Sequence, residues 1–221
     1  MDYADARRRM LDGQLRPNKV TDPRLLAAMG EIPRERFLPD GPLRARAYAD
    51  EDVPLPGPAG RALTEPMVIA RLIQLAVLRR GDRVQLLPAG TGYAAAVMAA
   101  MGARVVALEE DEALAAAARS ALAGLAGAEE ARILRAPIAQ GHAAGAPFDA
   151  ILIEGEVPEV PPALVEQLAE GGRLVTVLAG PGRVGRAVLG RRIGGSFSVA
   201  SVFDCAITPV REFAPASAFL F

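Results

Sequence analysis

Much of what ordinarily announces a function is missing from these 221 residues. There is one cysteine (Cys205), one histidine (His142), one lysine (Lys19) and no tryptophan. A lone thiol excludes an internal disulfide framework and fits a reducing compartment, and its apolar neighbours Phe203, Ala206 and Ile207 mark it as an inert buried group. No Ser/His/Asp or Cys/His set is evident for nucleophilic catalysis, and no metal site is expected. Lys and Arg number 25 against 26 Asp and Glu, so no global field draws in nucleic acid or an anionic membrane. With only 5% aromatics there is no basic stacking platform for bases. No apolar run approaches the ~20 residues that span a bilayer, and no signal-peptide pattern precedes the first helical stretch. The expectation is a cytoplasmic protein without nucleic-acid or membrane partners, a monomer or weak dimer. Solenoid repeats and low-complexity linkers are absent as well.

What is there is a core. Hydrophobic residues make up 51% of the chain and are mostly Ala, Leu and Val. The length suits one large domain with decoration. Helices are expected over 3–15, from Pro23 to Met29, and over 65–78, with Thr64 as N-cap and Pro66 in the first turn. Residues 32–61 are rich in Pro and Gly and carry little periodicity. Strands and helices then alternate: strand 83–88, helix 92–102, strand 104–109, helix 111–126, strands 131–135 and 148–154, helix 160–169, strand 172–179. The tail from 191 to 221 reads as extended, with turns at Gly194-Gly195 and Pro209. Buried strands alternating with helices predict an α/β fold, a doubly wound, mostly parallel sheet. Residues 1–62 read as an N-terminal extension and 63–221 as the sheet domain.

Pro88-Ala89-Gly90-Thr91-Gly92-Tyr93 lies between a buried strand and an alanine-rich helix. Strand, glycine turn and helix N-terminus begin a nucleotide-type βαβ unit, where glycine lets the backbone approach a ligand closely. About twenty residues on, the next strand ends at Glu109, the position from which an acid accepts hydrogen bonds from ribose hydroxyls. Glu110 and Asp111 follow; Asp111 also suits the N-cap of the next helix.

Six blocks in order carry a family resemblance. They are GEIPRERFLP at 30–39, AYADEDVPLP at 47–56, LTEPMVIA at 63–70, GTGYAAAV at 90–97, APFDAI at 146–151 and QLAEGGRLV at 167–175. From Met10 to about Val177 the chain resembles the protein-L-isoaspartate O-methyltransferases. The resemblance implies a seven-stranded Rossmann-like methyltransferase sheet, six strands parallel and one antiparallel, with the N-terminal section on the substrate side. It implies S-adenosyl-L-methionine as cofactor, held by Ala89, Gly90, Thr91, Gly92, Tyr93, Glu109, Glu110 and Ile138. It also implies methylation of the α-carboxylate of isoaspartyl residues in proteins or peptides. Thr64 aligns with the family's active-site serine and keeps a hydroxyl for the acceptor carboxylate; an ordinary helix cap is its other reading. An α-carboxylate is ionised at neutral pH, its pKa near ~3.5, so it needs no general base. Catalysis then rests on holding it in line with the methyl group.

Several positions depart from the pattern. Leu86 replaces the acid expected in the first strand, Pro88 replaces the first glycine, and Ala136-Pro137-Ile138 stands where a G-D-G is expected. Pro88 also lacks a backbone donor. Glu154 and Glu156 replace small or hydroxyl residues after the fourth strand. They read either as pocket acids or as solvated loop acids. These departures keep two alternatives in view: a methyltransferase with another carboxylate acceptor, and a pseudo-methyltransferase that retains the scaffold as a binding module.

Overall fold

In a computed structural model, which describes residues 2–58, 60–182 and 184–214, the chain builds seven α-helices and nine strands among the described residues. The N-terminal part contains α1 (Tyr3–Met10), α2 (Pro23–Glu31), the single turn α3 (Pro42–Ala45) and a two-stranded hairpin, β1 (Val53–Pro54) with β2 (Ala62–Leu63). Then follow α4 (Pro66–Leu75), β3 (Arg83–Leu87), α5 (Tyr93–Ala100), β4 (Arg104–Glu109), α6 (Glu112–Leu122) and β5 (Ala131–Arg135). The chain continues through β6 (Phe148–Val157), the single turn α7 (Pro162–Val165), β7 (Leu168–Leu178), β8 (Gly185–Ile193) and β9 (Ser196–Cys205).

β3 to β9 form one sheet in the order β5-β4-β3-β6-β7-β8-β9. The first five in that order pair in parallel, β8 runs against β7, and β9 runs against β8. Successive residues of the central strands enter opposite faces, and both faces are covered. Val84, Leu86, Val105, Ala107 and Leu152 belong to one core, whereas Leu87, Leu108, Ile151 and Ile153 belong to the other. Burial on both sides is why these strands read as continuous apolar runs. The first core also takes in Met10, Leu25, Phe37 and Leu63, so the N-terminal segments and the sheet share it. Among the described residues no helix is long and apolar enough to cross a membrane.

Three local expectations are corrected. The helix expected over 160–169 is one turn only, because the Gln167 carbonyl accepts from Phe148 N at 2.8 Å and draws the chain into the sheet at Leu168. The helix expected from 65 is α4, which has Glu65, not Thr64, at its N-cap, and the Thr64 hydroxyl is used elsewhere. Finally, an antiparallel strand begins at Gly185, ahead of the extended tail expected from 191. Its hairpin turns at Gly194-Gly195 with φ of 59° and 76°, the paired positive values of the tightest hairpin turns. Pro209 makes a one-residue parallel bridge with Glu156, which carries residues 206–210 over the end of β6. The tail beyond 214 lies outside the described residues.

Candidate active site

The carboxyl ends of β3, β4 and β6 meet at one place, beside the point where the strand order reverses. A ligand site on an open α/β sheet is expected there. Four segments close over it: the glycine loop, the β2–α4 junction, residues 207–210, and the stretch from Gly60 to Leu63. Thr64, Ala89, Gly90, Thr91 and Tyr93 all line the cavity between them, together with Arg61 and Glu154. Gly90 and Gly92 adopt φ of 53° and 92°. At Gly92 a Cβ would come within 3.1 Å of the Ala118 Cβ, so only glycine lets this turn sit against α6. The Thr91 hydroxyl is buried without a hydrogen-bond partner among the described residues.

Glu109 is fully buried at the tip of β4. Its carboxylate accepts from the backbone N–H groups of Gly90 (2.9 Å), Glu110 (3.0 Å) and Asp111 (3.2 Å). Arg61 Nη2 approaches it at 3.4 Å and holds Glu212 at 2.6 Å. Burial works against the Arg61 charge, but Glu212 and Glu109 outweigh it and raise its pKa. Arg61 lines the cavity and Glu109 does not, so the guanidinium stands between the acid and the space a ligand would enter. Glu110 and Ile138 lie on the far side of β4: the Glu110 carboxylate accepts from Ile138 N at 2.8 Å. Asp111 caps α6 through Leu114 N at 2.9 Å.

Beneath the site lies Arg34, fully buried, donating through Nε to Ala47 O at 2.6 Å and through Nη2 to the Thr64 carbonyl. Its guanidinium also lies 4.7 Å from the Tyr93 ring centre, a cation–π contact. Arg34 therefore fixes the backbone of Thr64 and the ring of Tyr93 together. Asp52 accepts from Glu65 N (2.8 Å) and from the Thr208 hydroxyl (3.1 Å), tying the hairpin to both walls. The Thr64 hydroxyl donates to Glu154 Oε1 at 2.8 Å. Burial pushes Glu154 up to about 7, with the Thr64 hydrogen bond and Arg34 opposing and Asp52 and Glu109 adding to the rise. Glu156 does not share the pocket, because its side chain lies against Gly185 on β8. Leu86 packs wholly inside the core and His142 sits in a loop whose N–H donates to Gln85 at 2.6 Å.

Arg61, Arg34 and Asp52 were not singled out from the sequence. Arg34 and Asp52 lie inside two of the resembling blocks, a usable signal; Arg61 lies between blocks and gave none. The donor set fits a nucleoside carrying an amino-acid arm: an acid at a strand tip, a glycine turn at a helix N-terminus and an unpartnered Thr91 hydroxyl. The room is another matter. The cavity measures about 20 Å³, space for about one water, with Arg61 on its wall beside Glu109.

A family model described as protein-L-isoaspartate(D-aspartate) O-methyltransferase matches residues 6–212. A protein-L-isoaspartate O-methyltransferase of Methylorubrum populi is 47% identical over 180 residues, which is 80% of this chain and 81% of that protein. A solved protein-L-isoaspartate O-methyltransferase superposes with a TM-score of 0.80 at 25% identity, covering 92% of this chain; the chain spans 65% of that larger one. A Plasmodium falciparum protein solved in complex with S-adenosyl-L-homocysteine superposes with a TM-score of 0.77 at 19% identity, covering 96% of this chain and 99% of that one, a likeness of fold.

Proposed function

The chain belongs to the protein-L-isoaspartate O-methyltransferase family, and from that premise we propose how its own residues serve an S-adenosyl-L-methionine-dependent methylation of isoaspartyl α-carboxylates. When bound, S-adenosyl-L-methionine supplies a methyl group that a carboxylate oxygen accepts. The residues to hold it are the 89–93 turn and Glu109, with Glu110 and Ile138 at the far end. Arg61 has to leave Glu109 first.

The observation that carries the acceptor reading is the position of the Thr64 hydroxyl. It sits on the cavity wall facing the glycine loop, on a backbone that Arg34 holds from below. From there it donates one hydrogen bond to the incoming carboxylate and sets which oxygen faces the loop. The acceptor is already ionised, so the protein has only to position it, keep water out and leave one oxygen free. The buried walls made by Leu63, Tyr93, Ile207 and Val210 suit that exclusion.

The test is methyl transfer to matched peptides that differ only in an isoaspartyl or aspartyl linkage. Ester formation on the isoaspartyl peptide alone is the expected result. Transfer to neither, or to both equally, overturns the assignment of the acceptor.

A further inference from the structure

Glu154 stands where the resemblance leads one to expect a small or hydroxyl residue, at the carboxyl end of β6. Its carboxyl group is half-buried on the cavity wall, and no cation among the described residues forms an ion pair with it. Its one hydrogen bond comes from Thr64, the hydroxyl that the proposed function assigns to the acceptor. The charged groups that face it come from three directions. Arg34 lies below, its Nε and Nη2 donating to the carbonyls of Ala47 and Thr64 and its Nη1 without a partner among the described residues, Asp52 lies on the hairpin side, and Glu109 at the tip of β4. A part-buried carboxyl so placed sets one hydrogen bond and the Arg34 charge against its own desolvation and two like charges, and its ionised form is disfavoured.

We propose that Glu154 is a proton-operated gate on the acceptor carboxylate, and so a specificity-determining residue of this site. Neutral, it releases the Thr64 hydroxyl to the acceptor and can itself donate through its own O–H. Ionised, it keeps the Thr64 proton and sets one negative charge against another across a cavity of about 20 Å³. The proton it loses goes to solvent, and no bond in the acceptor is made or broken by the change. Desolvation and the neighbouring acids hold the group near half-protonation around neutrality, where small changes in pH move it. This inference rests on the reading that the acceptor docks at Thr64.

The experiment measures binding by fluorescence anisotropy, with S-adenosyl-L-homocysteine present. One labelled peptide carries an isoaspartyl residue with a free α-carboxylate; its twin carries the α-carboxamide. The free α-carboxylate stays ionised throughout, far above its own pKa of ~3.5. Wild-type protein should bind the carboxylate peptide about tenfold more weakly near pH 8 than near pH 6, and the carboxamide peptide equally at both. Glu154→Gln should bind the carboxylate peptide near pH 8 as wild type does near pH 6. Equal wild-type affinity at both pH values overturns the gate, as does a loss shared by the carboxamide peptide or retained in Glu154→Gln. The wild-type comparison of the two peptides stands even should the variant fold poorly. A protein that binds neither peptide near pH 6 fails at the acceptor reading itself, and the gate falls with it.

Discussion

Thr64 carries one hydroxyl, which donates to Glu154 and which we propose for the substrate carboxylate. Removing it separates binding of the acceptor from binding of the cofactor. Thr64→Val keeps the branched shape and loses only the hydrogen bond, which to a charged partner is worth about 1.5–3 kcal/mol. We expect kcat/KM for an isoaspartyl peptide to fall roughly 10- to 100-fold, with the calorimetric affinity for S-adenosyl-L-homocysteine unchanged. Equal losses in both would return Thr64 to a structural role. Glu109 is the opposite case, because three backbone N–H groups and Arg61 converge on its carboxylate. Glu109→Ala leaves those part-buried donors without their acceptor, a loss of about 3–5 kcal/mol for the hydrogen bonds to a charged group. In a chain of this length that is a fall in Tm of roughly 10 °C, readable by calorimetry on the protein alone. A variant that melts like wild type would show that the carboxylate has no structural duty and serves the ligand only.

The β1–β2 hairpin carries the cation that stands against the acid we propose for the cofactor. It brings Arg61 to Glu109 on one side and Glu212 on the other, and its turn at Gly60 runs within 3.5 Å of the Pro209 carbonyl for any added Cβ. A binding-competent state that is only partly populated lowers apparent affinity by that fraction. Arg61→Ala removes the side chain that bars the acid while Glu109 keeps its backbone donors, so affinity for S-adenosyl-L-homocysteine should rise roughly tenfold by titration calorimetry. Unchanged or weaker binding would mean that Arg61 is not the obstacle. The sequence announced this element least of all. Strands β3, β4 and β6 were legible because both their faces are buried, which leaves unbroken runs such as Val84–Leu87. The hairpin has two residues in each strand and no periodicity, and its Arg61 pairs with an acid 151 positions away. Long-range ion pairs leave no local pattern. The helix over 160–169 failed for a related reason: Pro161-Pro162 starts a helix, but the sheet partner that ends it at Gln167 is distant in the chain.

Across the whole molecule, polar side chains are drawn inward at one end of the sheet, and their charges do not all balance. The sequence located that end through the glycine loop, Glu109 and Thr64, since each sits at a boundary between elements. It left Glu154 and Glu156 equivalent, two acids separated by one glycine. The structure separates them by register, Glu154 on the cavity and Glu156 against β8. One consequence reaches global stability. Glu154 sits near 7 in the folded protein, above the ordinary carboxyl value of ~4.3 that it regains on unfolding. Between those values the folded state binds the extra proton, so stability from this group is fully present at the acid end and is lost as pH rises through about 7. Other titrating groups act on the curve too, but they are common to wild type and Glu154→Gln and cancel in the difference. The variant is neutral at this position in both states and escapes the penalty. Its Tm should match wild type near pH 4, exceed it by a growing margin as pH rises, and hold a constant lead above about 7. A difference that stays flat across that range would place Glu154 in ordinary solvent-like surroundings and remove the physical basis of the gate; one that shrinks with rising pH would mean that the folded protein favours the ionised carboxylate.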